Sequence, residues 1–130
     1  MNKHEQLKNF YELTSKEFIL DAQHADKIYD EMGFDKEDEA YYIWFESFAQ
    51  ITNIFMNQES TDNVLKHFSF FLYHLENGTD VINHCIDVSY IENLFDSLDK
   101  ETSKYYWLLL PQKMQTLYIG FHGVTPMQRH

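Results

Sequence analysis

Apolar residues return at every third or fourth position along most of this chain, a spacing that predicts helices from end to end. Leu7, Phe10 and Tyr11 start the pattern between residues 3 and 13. Phe18, Ala22, Ala25, Ile28 and Tyr29 carry it to about Met32, where Gly33 suits a left-handed helix cap. Between the two sets, Thr14-Ser15-Lys16-Glu17 matches a capping box, in which the Thr hydroxyl and the Glu carboxylate each take a free amide. The stripe also continues through Thr14, so a break and a bend both fit there.

The densest segment is 35–57, DKEDEAYYIWFESFAQITNIFMN. Tyr41, Trp44, Phe45, Phe48, Thr52 and Phe55 share one helical face, and Ile43, Ile51 and Ile54 widen it. Such a helix is expected to be covered on more than one side. Asp35 suits its N-cap with Asp38 at the third position, and both favour the positive end of the helix dipole. Glu37 and Glu39 have less structural work to do.

After a polar link at Gln58 to Thr61, Val64, Leu65, Phe68, Phe71, Leu72 and Leu75 form one face of a helix closed by Asn77-Gly78. Phe70 and Tyr73 lie off that stripe with His67 and His74. They either complete the core from a second side or meet a partner. Thr79 can cap a short helix through Val81, Ile82, Cys85 and Ile86; Ile86-Asp87-Val88 alternates like extended chain. Ser89 to Glu92 is a second capping box, predicting a helix through Ile91, Leu94, Phe95 and Leu98. The run 105–110 suits a strand or a buried helix, and helix is preferred because no second strand offers pairing. Pro111 opens a last helix with Met114, Leu117, Tyr118 and Phe121 inward, stopped by Gly120, Gly123 and Pro126. The pattern predicts an all-α, single compact domain over 1–130. It has about six to eight helices around a central helix near 36–57, and a loose tail from about 124.

Length and composition agree with one core. A chain of 130 residues fits one domain, and eleven Phe, nine Tyr and two Trp supply its interior. The single Cys85 excludes an internal disulfide. No signal-like or membrane-length apolar run occurs, so a cytoplasmic protein is expected.

Charge changes the picture more. The chain carries 21 acidic and 10 basic side chains, net −11. Residues 1–60 hold 13 acids against 5 lysines, net −8, so the acidity is concentrated in the first half. That sign disfavours nucleic acid and anionic membrane and attracts basic partners, chiefly through the association rate. Solubility alone is a competing explanation.

Candidate chemistry is sparse. There is no G-x-S-x-G elbow and no glycine-rich phosphate loop among four glycines. Cys85 beside His84 does not make a pair, because adjacent helical residues diverge by about 100°. His67 and His74 stand two turns apart, too far for one metal ion, and the face shared by Asp21 and His24 has no E-x-x-H partner on another helix. No cofactor, no metal and no catalytic residue is assigned, and an enzyme is not expected.

The segments FLYHLENG (71–78), NHCIDVSYIENL (83–94) and LLLP (108–111) resemble small acidic helical bacterial proteins. That group includes immunity proteins of polymorphic-toxin and contact-dependent growth-inhibition systems. The resemblance implies a protein that binds and blocks one cognate toxin inside the producing cell. It carries no site residues with it. The residues themselves suggest the surface. A nuclease toxin needs Lys and Arg in its cleft, and carboxylates can take the place of the phosphates there. The expected partner-binding set is Asp26, Asp30, Glu31, Asp35, Glu37, Asp38 and Glu39, with Tyr41 or Tyr42 as aromatic anchors. An acidic regulatory or DNA-mimicking protein with another basic partner is the alternative, and a small helical enzyme without a recognisable motif is a further one.

Overall fold

Helix α1, Lys3–Glu17, starts where Asn2 accepts the Glu5 amide at 2.8 Å and returns a bond to its carboxylate at 3.1 Å. The computed structural model describes residues 1–32 and 39–129. Leu7, Phe10 and Thr14 bury one face of α1. Thr14 is not a cap: its hydroxyl donates to the Phe10 carbonyl at 2.8 Å, satisfied inside the helix. The break comes four residues later, at Phe18 (φ −127°, ψ 68°), whose amide closes on Thr14 O at 3.0 Å. Helix α2, Ile19–Glu31, then buries Ala22, Ala25 and Tyr29.

Helix α3, Ala40–Asn57, is the centre of the molecule. It packs on α2, α4, the segment after α5 and, more lightly, α1 and α6. Trp44, Phe45, Phe48, Ala49, Ile51 and Met56 are buried, so more than one side is covered, as its wide apolar face predicts. The caps expected from Gly33, Asp35 and Asp38 lie outside the described residues. Helix α4, Thr61–Asn77, follows, with Val64, His67, Phe68, Phe71 and Leu75 inward. Leu65, expected inside, is 38% exposed. Gly78 ends α4 in extended conformation, and a Cβ there would strike the His74 carbonyl.

The next segment departs from expectation. Thr79 caps α5, Asp80–Cys85, but no extended residues and no new helix at Ser89 follow. The chain widens into a π-helix, Ile86–Tyr90, and tightens into a 3-10 turn, Ile91–Asn93. The end of that turn is held from α3. Asn53, almost fully buried, donates to Asn93 O at 2.9 Å and accepts the Phe95 amide at 2.8 Å. It replaces the bonds another helical turn would make, and Phe95 is held at φ 70°. The widened turn sets Tyr90 against Phe71 with ring centroids 3.7 Å apart.

Helix α6, Lys100–Leu109, is capped by Asp99, so 105–109 is helical. Leu110 is extended before Pro111, and α7, Gln112–His122, ends at Gly123 with φ 76°. Met114 and Tyr118 are buried, whereas Phe121 is 59% exposed. The expected loose tail is instead a 3-10 turn, Pro126–Arg129. Its Pro126 is buried, and its Arg129 donates to the Tyr118 hydroxyl at 2.7 Å. The fold is all-helical and forms one compact domain. Among the described residues no helix is long and apolar enough to cross a membrane.

Candidate functional site

The described residues of the expected acidic surface, Glu31 apart, divide between two cavities. The first lies between α1, α2 and the start of α3. It has about 440 Å³ and is walled by His4, Tyr11, Asp26, Tyr29, Asp30, Ala40, Tyr41 and Trp44. Periodicity explains this meeting. Asp26 and Asp30 are four apart on α2, hence on one face, and Tyr41 and Trp44 are three apart on α3. Tyr11 packs edge-on to Trp44 at 4.8 Å and tilted against Tyr41 at 5.6 Å, forming an aromatic floor. Asp26 is committed to the fold, since its carboxylate accepts the Trp44 indole N–H at 2.7 Å. Burial, and then the charge of Asp26, raise the Tyr11 phenol above its ordinary range.

Asp30 and Glu31 are exposed in the last turn of α2, which contains no basic residue. The helix dipole is negative at that end, so two carboxylates there oppose folding. Helix capping does not account for them. Asp35, Glu37 and Asp38 lie outside the described residues.

Glu39 and Tyr42 border the second cavity, about 620 Å³, together with Lys3, His4, Leu7, Glu46, His84, Val88 and Ser89. The expected anchors therefore part: Tyr41 faces the α2 side and Tyr42 the α5 side. The ring of Tyr42 meets that of His84 edge-on at 5.9 Å and carries the Lys3 ammonium 5.2 Å from its centre. Glu46 stands half-buried in this wall. Burial and then Glu39 raise its carboxyl above the usual range, and neighbouring Asp87 and Glu92 are raised mainly by burial too.

One polar array has no counterpart in the sequence-based expectations. Tyr90 and Thr52 join at 2.8 Å, Thr52 meets His67 Nδ1 at 2.8 Å, and His67 Nε2 meets Asp21 at 2.8 Å. With the proton of the ring on Nε2, every donor has an acceptor: Tyr90 to Thr52, Thr52 to His67, His67 to Asp21. Thr52, His67 and Tyr90 are buried, which makes this a satisfied interior chain and gives it no access to substrate. Spacing set His67 off the inward stripe, with Phe70, Tyr73 and His74, whereas the structure buries it one turn before Phe71. Phe70 is half-buried against Phe10 and Phe18, so it completes the core, while Tyr73 is 60% exposed. Tyr73 borders an open apolar groove with Leu13, Leu20 and Leu65.

Other candidate chemistry resolves simply. Burial pushes the Cys85 thiol up to about 12, which leaves it an unreactive core group. Among the described residues no three His, Cys, Asp or Glu side chains come together as a metal-ligand set.

A family model described as "Domain of unknown function (DUF7674)" matches residues 4–123. The chain belongs to this family. No curated protein and no solved structure matches it. The matched span runs from the second residue of α1 to the end of α7 and includes every residue lining the two cavities except Lys3.

Proposed function

We propose that this chain is a binding protein whose acidic surface meets a basic protein, in the manner of small immunity proteins that block one cognate toxin. The observation carrying the reading is the pair Asp30 and Glu31, exposed in the last turn of α2, which holds no basic residue; Lys27 stands one turn earlier, and no ion pair with either acid occurs among the described residues. They work against their own helix by about 0.3–1 kcal/mol each at low salt. They stand next to an aromatic-floored cleft that a basic side chain can enter. Aromatic anchors ringed by charge are the usual distribution of interface energy. A nuclease domain, whose cleft must bind phosphates, is the toxin class that this charge suits best. The resemblance of about residues 64–111 to small acidic helical bacterial proteins, immunity proteins among them, suggests the biological class.

The test uses the protein encoded beside this chain's gene. A basic toxin domain there, neutralised by this chain, supports the reading. The double reversal Asp30→Lys, Glu31→Lys should then slow association by about tenfold at low salt and much less at high salt. Unchanged association would remove this surface from the interface, and a neighbour that is neither basic nor toxic would remove the immunity assignment.

A further inference from the structure

We propose that the cavity between the start of α1, α3 and α5 is a binding site for an organic ammonium group, with Glu46 and Glu39 as its anions and the Tyr42 ring as its face. Three observations converge on it. First, the chain already places an ammonium there: Lys3 Nζ lies 5.2 Å from the centre of the Tyr42 ring. An aromatic face attracts a cation through its quadrupole, so the geometry selects for a positively charged ligand.

Second, Glu46 is half-buried in the wall, and among the described residues no cation lies within ion-pair distance of it. Like charge stands beside it in Glu39, with Glu92 and Asp87 farther along the same side, while Lys3 and His84 line the same cavity without forming an ion pair with it. A carboxylate taken partly out of water without a counter-charge is a cost that a bound cation removes. Third, the Ser89 hydroxyl is buried in the same wall without an oxygen or nitrogen partner among the described residues. It is left with the Cys85 sulfur, which is a weak one. A volume of about 620 Å³ holds an alkylammonium chain and the waters around its head. The chemistry is that of an amine rather than a hard metal ion, because an aromatic ring and imidazole edges replace the oxygen ligands that Mg²⁺ or Ca²⁺ requires.

The ammonium has two possible sources, a free amine or a basic side chain of a bound protein. The second rests on the function proposed above and deepens it; the first stands without it. Calorimetric titration of the full chain needs no protein partner, so its failure is distinct from failure of the toxin reading. The probes are putrescine, as a free diamine, and Nα-acetyl-lysine methylamide, as a side-chain mimic, with MgCl2 at matched ionic strength as control. Saturable binding of an amine is expected, with putrescine tighter if the source is a free amine and the lysine mimic tighter if it is a protein side chain.

Lys3→Ala should tighten binding by about two- to fivefold by vacating the Tyr42 face. Glu46→Gln should weaken it at least as much, whereas Glu76→Gln, the same charge change on the exposed side of α4, should leave it unaltered. Glu46→Gln removes an unpaired charge, so it keeps the fold, which circular dichroism verifies. An equal response to MgCl2, equal effects of Glu46→Gln and Glu76→Gln, or the absence of saturation by either amine would each overturn the proposal.

Discussion

Asp21 and Glu46 are both carboxylates set near the central helix, and their surroundings differ in kind. Asp21 accepts from His67 at 2.8 Å and anchors a chain that runs through Thr52 to Tyr90 in the core. Glu46 has Glu39 beside it, no ion pair among the described residues, and the open cavity in front, where Lys3 sits over the Tyr42 ring instead. Desolvating a polar group is costly, and a partner removes that cost. The Asp21 chain is thus complete in the isolated protein. The Glu46 side is incomplete, and Asp30 and Glu31 resemble it in having no ion pair among the described residues. Carboxylates that the fold has not neutralised are where an external cation gains most.

The largest effect expected from this contrast belongs to His67. His67→Ala removes the middle of a satisfied chain and strands the hydroxyls of Thr52 and Tyr90 in the core. A loss of about 3–4 kcal/mol follows, from the cavity together with the unpaired groups. Thermal unfolding should fall by roughly 10 °C or more. Tyr90→Phe keeps the ring against Phe71 and deletes one end of the chain, so about 1 kcal/mol is expected. If the two variants cost the same, the four groups do not act as a unit and the contrast with Glu46 loses its basis.

Next in size is Asn53, the other buried polar group that works through complete pairing. Asn53→Ala deletes the bonds to Asn93 O and from the Phe95 amide, leaving that amide buried and unpaired. About 2–3 kcal/mol of stability should be lost. Hydrogen exchange should report it locally, with the Phe95 amide losing protection ahead of α6 and α7. Uniform loss of protection would mean that Asn53 is ordinary core and does not organise the turn.

These residues also explain what was legible in the sequence. Helices whose apolar faces repeat at three and four, such as α3 and α4, follow from local spacing and were readable. The segment after α5 was not. The way its 3-10 turn ends at Asn93 to Phe95 is held by Asn53, some forty residues earlier, and no local pattern contains those bonds. Thr14 shows the same limit at short range. A threonine hydroxyl serves equally as an N-cap or as a donor to the carbonyl four residues back, and the helix through Thr14 used the second. The candidate site was legible as charge and hidden as geometry. Asp26 counts as one acid among many until Trp44 is seen to hold it, and Glu46 looks like a polar interruption of an apolar run until the cavity beside it is seen.

A smaller effect tests the acids on α2. Asp30→Asn with Glu31→Gln should raise stability by about 0.5 kcal/mol per site at low salt, fading as salt is added. The same variant should associate more slowly with a basic partner. Gain in stability with loss of association identifies charges retained at the fold's expense. No change in stability would mean that solvent already screens them, and that their placement carries no information about a partner.

The smallest effect, and the most specific, is the pH dependence contributed by Glu46. Its carboxyl is raised by burial and then by Glu39, so the folded chain takes up this proton at higher pH than the unfolded chain does. Stability from this group therefore increases as pH falls from neutrality through the raised range, and levels off below the ordinary value of 4.5. His74 and His122 have the opposite sign. Burial lowers both, so the unfolded chain protonates first and acidification below about 6.5 subtracts stability. The raw profile mixes these slopes, and the difference between the wild-type chain and Glu46→Gln separates them, since both contain the same histidines. The variant should melt about 1–2 °C higher at pH 7, a modest gain because solvent reaches much of the carboxylate. That advantage should vanish below pH 4.5 and should shrink at pH 7 once a saturating amine supplies the wild-type carboxylate with a counter-charge. An advantage that persisted at low pH would come from packing of the amide, and Glu46 would then no longer stand in contrast to Asp21.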